Sequence, residues 1–210
     1  MIRIKKQFFI ILFILFLFSF CSCKSYFFNT LVIGDSLFSG FKIPFSKSVF
    51  YLIDKKLPGN FINNCEIGLS ARNVTDRLKE FDKITITHVI IELGSNDFLR
   101  NVDCKITYKN LSNIIKYFKN KNVKVCVVNF YDSSMLDYSQ YFTLFNQEFL
   151  EEYNNIFLDL ENILLINNIW DGKFSNEEYK IDDFHPNKKG SKLISDIIVN
   201  FIKKSDFYSY

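Results

Sequence analysis

The stretch Thr30-Leu31-Val32-Ile33-Gly34-Asp35-Ser36-Leu37 decides the architecture of this chain. It opens on a short apolar run, Thr30 to Ile33, without the in-out alternation of a half-exposed strand, which is how a strand buried on both faces reads. A glycine and a polar turn then break it. Four more runs have the same character: Phe61 to Cys65, His88 to Leu93, Val123 to Asn129 and Ile156 to Leu160. Between them lie amphipathic stretches over about 46–56, 74–81, 108–120 and 141–153. A last one, Lys188 to Lys203, carries Leu193, Ile194, Ile197, Ile198 and Phe201 at helical spacing. Strand alternating with helix predicts a doubly wound α/β domain with a five-stranded parallel sheet and right-handed crossovers. Ligands of such sheets sit beyond the carboxyl ends of the strands.

At 210 residues the chain has room for one well-buried domain and too little for two plus a linker. Its 25 Phe against 7 Gly and 3 Pro match what A+T-rich coding produces, so the aromatics read as core rather than as a binding stripe. The first residues break from the rest. Arg3, Lys5 and Lys6 precede an unbroken apolar run from Phe8 to Phe20, followed by Cys21-Ser22-Cys23. That run has the length of a signal-peptide apolar region and falls short of the roughly 20 residues that span a bilayer. Residues 1–22 therefore read as a lipoprotein-type signal peptide, with Cys23 as the lipidated residue, because Ser22 before Cys23 suits such a site better than Phe20 before Cys21. Lipidation at Cys21 and an uncleaved signal anchor are the alternatives. Removing residues 1–22 takes away three basic and no acidic residues and leaves the two charge types in equal number. With no basic stripe either, nucleic acid is excluded as an expected partner. Cys65, Cys104 and Cys126 show no metal-ligand spacing, and Cys65 and Cys126 lie in strand-like runs, where packed free thiols are expected.

Four short motifs fall at strand ends or before the last helix. Gly34-Asp35-Ser36-Leu37 follows the first strand, Gly68 comes shortly after the second, and Gly94-Ser95-Asn96-Asp97 follows the third. Asp182-Asp183-Phe184-His185-Pro186 precedes the final helix. A serine hydroxyl is a weak nucleophile at neutral pH and needs a base. Of the two histidines, His88 opens an apolar strand and reads as structural. His185 stands in a polar loop with Asp182 three residues before it, close enough for the carboxylate to hold the imidazole tautomer. Asn96 offers an amide donor at a strand end, and Gly68 a backbone N–H that a substrate can approach closely. Each motif alone also reads as an ordinary turn or helix cap; their order and placement together favour the catalytic reading.

These residues resemble the SGNH hydrolases, also called the GDSL esterase and lipase family. Val32 to Leu37 is similar to the family's first block, Gly94 to Asp97 to its Gly-x-Asn-Asp block, and Asp182-x-x-His185-Pro186 to its last. In the second block Asn63 and Gly68 keep the separation, but Cys65 and Leu69 replace the usual Gly and Asp; Asp183 also stands where Gly is common. The resemblance implies a three-layer α/β/α flavodoxin-like fold over residues 24–210. It further implies Ser36 as nucleophile, His185 as base and acid, Asp182 as its orienter, and an oxyanion hole of the Ser36 N–H, the Gly68 N–H and the Asn96 amide, with no metal or organic cofactor. The expected substrate is a small acyl ester: an acetylated glycan, a short-chain ester or a lysophospholipid. The expected location is extracytoplasmic, lipid-anchored, with secretion as the alternative. A surface binding or adhesion lipoprotein that keeps the fold without turnover is the competing reading.

Overall fold

The computed structural model describes residues 28–130 and 163–209. The signal segment with Cys21 and Cys23, the helix expected over 141–153 and the strand expected over 156–160 lie outside the described residues.

Among the described residues the sheet has five strands, all parallel: β1 (Asn29–Gly34), β2 (Asn60–Cys65), β3 (His88–Ile91), β4 (Lys124–Val128) and β5 (Leu164–Ile166), in the order β2-β1-β3-β4-β5. Leu31, Val32 and Ile33 of β1 and Val89, Ile90 and Ile91 of β3 are fully buried, as central strands covered on both faces must be. β2 is an edge strand and is half exposed, which accounts for its asparagines. The strand at Leu164–Ile166 is one that the sequence does not lead one to expect; it lies in a short apolar run between asparagines.

The α-helices among the described residues are α1 (Ser36–Ser39), α2 (Val49–Asp54), α3 (Ala71–Asp76), α4 (Ser95–Leu99), α5 (Cys104–Lys119) and α6 (Lys188–Lys204). α2 packs with α6, and α3 with α5, which puts a helical layer on each face of the sheet. Leu111, Ile114, Ile115 and Phe118 bury one stripe of α5, each contributing roughly 1.5–3 kcal/mol. Capping residues set several helix starts away from the hydrophobic periodicity. Ser48 and Asp103 cap α2 and α5 through their side chains, so α2 begins three residues later and α5 four residues earlier than expected. Ser70 and Asn73 form a reciprocal capping box that starts α3 at Ala71. The helix expected over 74–81 is instead α3 followed, after Arg77, by a 3-10 turn over Leu78–Lys83. Lys56, just past α2, bonds Asp196 at 2.6 Å and Ser195 at 3.2 Å, which ties α2 to α6. No helix among the described residues is long and apolar enough to cross a membrane.

Candidate active site

The order in which strands are laid down reverses at the β1/β3 pair: β2 lies on one side of β1, while β3, β4 and β5 lie on the other. A crevice opens at such a point beyond the carboxyl ends of the strands. The motif after β1 stands there. Asp35 caps α1, its Oδ1 accepting the Leu37 N–H at 2.9 Å. Gly40, at φ 87°, ends the helix after one turn by returning its N–H to the Ser36 carbonyl. Ser36 is thus the first residue of a one-turn helix, where a backbone N–H has no helical partner. Among the described residues nothing engages that N–H.

The segment 172–186 holds a 3-10 turn over Glu177–Tyr179 and closes on itself through an antiparallel bridge between Lys180 and Pro186, with the Ile181 N–H on the His185 carbonyl at 2.9 Å. Buried Phe184 anchors it against Phe174, which in turn meets Trp170, with centroids 5.7 and 5.2 Å apart. Asn187 caps α6 and also donates to the Glu178 and Lys180 carbonyls at 2.8 and 3.0 Å. The loop cannot shift without breaking the helix start.

This frame presents Asp182 and His185 to Ser36. Nδ1 of His185 lies 2.9 and 3.1 Å from the two Asp182 carboxylate oxygens, so Nδ1 carries the hydrogen. Nε2 then accepts from the Ser36 hydroxyl at 3.0 Å. Asp182 Oδ1 also accepts the backbone N–H groups of His185 and Phe184 at 2.8 and 3.1 Å. Burial alone would raise this carboxyl, but those backbone donors and the imidazole outweigh it and hold it down to about 2.

The other two expected residues stand at the ends of β2 and β3, the strands that flank β1. Gly68 sits in a turn closed by the Leu69 N–H on the Glu66 carbonyl at 3.2 Å, with φ at 78°, a conformation that favours glycine. Its carbonyl accepts Arg100 Nη2 at 2.9 Å, and its N–H has no partner among the described residues. Asn96 Nδ2 donates to Asp35 Oδ2 at 2.9 Å and more weakly to Ser95 Oγ at 3.5 Å; these two oxygens bond each other, so one amide hydrogen faces both and the second points elsewhere. Asp97 points away from this group; its Oδ2 accepts the Ala71 N–H at 2.7 Å and ties the β3–α4 turn to the start of α3. A cavity of about 350 Å³ opens beside Gly68, lined by Glu66, Ile67, Leu69, Asn73 and Arg77.

His88 is structural, as expected. Its Nε2 donates to the Phe207 carbonyl at 2.7 Å and its Nδ1 accepts from Thr87 at 2.8 Å; burial pushes it down to about 4 and keeps it neutral. Cys65, Cys104 and Cys126 are free thiols. Among the described residues no cluster of three His, Cys, Asp or Glu could hold a metal ion. Sequence reasoning missed the groups that touch the triad from outside its motifs. The Phe41 ring lies on His185, centroids 4.2 Å apart, and Lys42 Nζ reaches Asp182 Oδ2 at 3.3 Å.

Residues 32–193 match the GDSL-like lipase/acylhydrolase family. The chain belongs to that family. An arylesterase of Vibrio mimicus is 35% identical over 104 residues, a match that covers 47% of this chain and 52% of the relative. The chain thus spans about half the length of that curated relative. Among solved structures it is similar to the psychrotrophic esterase EstA of a Pseudoalteromonas species, described as inhibited by monoethylphosphonate, with 26% identity, a TM-score of 0.70, and coverage of 84% of this chain and 97% of the other. A lipolytic protein of the G-D-S-L family from Veillonella parvula, 18% identical with a TM-score of 0.70 over 85% of this chain and 100% of its own, shares the fold.

Proposed function

We propose that this member of the family is a serine esterase acting on a small acyl ester through an acyl-enzyme on Ser36. The observation that carries this reading is the continuous line of contacts from the Ser36 hydroxyl through His185 to Asp182, at 3.0 and 2.9 Å. In the acylation step the Ser36 Oγ attacks the ester carbonyl carbon while its proton passes to His185 Nε2. Asp182 keeps the imidazole in the tautomer that can take that proton and stabilises the imidazolium. The carbonyl oxygen, now negative, meets the Ser36 N–H, the Gly68 N–H and the free hydrogen of Asn96, each such donor worth ~2.7–4 kcal/mol in the transition state. The C–O bond to the alcohol then breaks as Nε2 returns the proton to the leaving oxygen. Water, deprotonated by the same nitrogen, releases the acid and restores Ser36.

The arylesterase and esterase named above support an ester rather than an amide. The substrates proposed are an acetylated glycan, a short-chain ester or a lysophospholipid. For the location, the basic residues, apolar run and Cys23 support an extracytoplasmic, lipid-anchored protein, with residues 1–22 as its signal peptide.

Hydrolysis of p-nitrophenyl acetate by the purified protein tests the reading. Ser36→Ala is expected to lower kcat by about 10³-fold or more; equal rates for both proteins would leave a binding lipoprotein of this fold as the better account. Metabolic labelling with a palmitate analogue tests the anchor. Label should vanish in Cys23→Ala. Label persisting there would move the site to Cys21, and no label in the wild type would remove the lipid.

A further inference from the structure

Glu92 is a fully buried carboxyl that the reaction above leaves unused. It follows β3 directly, and its Oε2 accepts the N–H of Asp35, the residue before the nucleophile, at 3.2 Å. Its Oε1 has no partner among the described residues. Asp35 is fully buried as well, and its carboxyl group lies within side-chain hydrogen-bonding reach of Glu92. Two carboxylates so placed cannot both be charged.

The donors decide which one keeps a proton. Asp35 receives the Leu37 N–H at 2.9 Å, the Asn96 amide at 2.9 Å and the Ser95 hydroxyl. Three donors at one carboxylate favour its charged form. Glu92 receives one backbone N–H and, among the described residues, no other donor. Burial raises both groups, and the Asp35 charge raises Glu92 further, well above the ordinary range. The other ionisable groups that act on the pair or feel it are Cys65 at the end of β2, whose thiol is itself raised by burial and by these two carboxyls, and His185, which favours ionised Asp35 whenever the imidazole carries the proton taken from Ser36.

We propose that Glu92 is a positioning residue, held protonated, whose O–H binds the Asp35 carboxylate and so fixes the group that orients both Asn96 and the Ser36 turn. The proposal rests on the reading of Asn96 as an oxyanion donor. Asp35 is the link between Glu92 and the reacting atoms. With Glu92 in place the carboxylate cannot rotate, and Asn96 keeps one hydrogen on Asp35 and the other toward the crevice. Without it Asp35 loses a donor and its own N–H loses its acceptor. Displacing a catalytic group by about 1 Å costs ~10²-fold in rate.

The experiment compares full-length wild type, Glu92→Leu and Glu92→Gln for kcat and KM on p-nitrophenyl acetate, with infrared difference spectra of wild type minus Glu92→Gln near neutral pH. Gln keeps an acceptor for the Asp35 N–H and a donor for its carboxylate, as a neutral Glu would. The expected result is a kcat about 10²-fold lower in Glu92→Leu with KM little changed, most of that loss recovered in Glu92→Gln, and a protonated-carboxyl C=O band in the wild type that Glu92→Gln lacks. Glu92→Gln as impaired as Glu92→Leu, or no such band in the wild type, would overturn the proposal. If Glu92→Leu does not fold, the Gln variant and the band decide. If no esterase activity is found, the function reading fails separately, and the band still reports whether Glu92 holds its proton.

Discussion

Replacing Asp182 with Asn keeps the shape of the loop and removes one charge, so it isolates what the carboxylate does for His185. The amide oxygen will stay where Oδ1 is, because the His185 and Phe184 N–H groups at 2.8 and 3.1 Å require an acceptor. The NH2 then occupies the place of Oδ2, which lies 3.1 Å from Nδ1 and 3.3 Å from Lys42 Nζ. There it faces the imidazole and repels the ammonium. A donor against Nδ1 favours the tautomer with hydrogen on Nε2, which cannot take the proton of Ser36. The charge is lost too. For an imidazolium about 3 Å from a carboxylate, an effective dielectric of about 20 gives roughly 5.5 kcal/mol, or about 10⁴ in rate. The Asp182 side chain is 29% exposed, and water weakens the interaction there, so the expected fall in kcat is about 10³ to 10⁴. Steady-state kinetics on p-nitrophenyl acetate measure it, and nitrogen NMR of labelled histidine reads the tautomer. A kcat within about tenfold of the wild type would refute the reasoning. It would mean that Asp182 serves the loop through its backbone contacts alone.

Asn96→Ala should lower kcat by about 10² to 10³ with little change in KM, because its amide acts on charge that exists only in the transition state; a change confined to KM would assign it to substrate binding instead. The Asp182 carboxyl, held at about 2, lies below its unfolded value, so its contribution to stability is complete above about pH 4 and is lost as pH falls through 2. Acid unfolding followed by circular dichroism should therefore lose part of its steepness between about pH 4 and 2 in Asp182→Asn, and an unchanged curve would show that the contacts do not favour the charged form. Gly190→Ala should destabilise the fold by about 1–3 kcal/mol in denaturant titration, since a Cβ there would stand 2.1 Å from the Tyr179 carbonyl oxygen; a wild-type midpoint would mean that the start of α6 can retreat from the loop.

Much of the fold was legible because burial on both faces leaves a plain mark. β1, β3 and β4 are near-continuous apolar runs, and each appears within a residue or two of where its run lies. β5 was not legible because the four apolar residues Ile163 to Ile166 between asparagines carry too little pattern to be told from a loop. The helix starts shifted for a different reason: side-chain caps at Ser48, Ser70 and Asp103 set them, and hydrophobic spacing does not record a cap. The candidate triad was legible because its orienting pair is local, with Asp182 three residues from His185 on one bridged loop. Contacts made across the fold were not. Lys42 reaches Asp182 over 140 positions and Glu92 reaches Asp35 over 57, and neither residue has a local pattern that marks it.

The topology explains why distant segments must meet here. The sheet order sends the chain from β1 outward to β2 and then back past β1 to β3, so three neighbouring strands end side by side, each followed by a turn with a candidate donor. No strand end supplies the base. It arrives from the segment between β5 and α6, because α6 packs with α2, and α2 follows the Ser36 turn. The loop that starts α6 is thereby brought over that turn, and its own contacts, from Phe184 in the aromatic cluster to the Asn187 cap, leave His185 one position to occupy. The turn that carries Ser36 leads on to α2 and the loop that carries His185 leads into α6, and Lys56, Ser195 and Asp196 tie those two helices together. Loosening α2 from α6 would disturb the distance between Ser36 and His185 before it disturbed the sheet, since the strands pair without either helix.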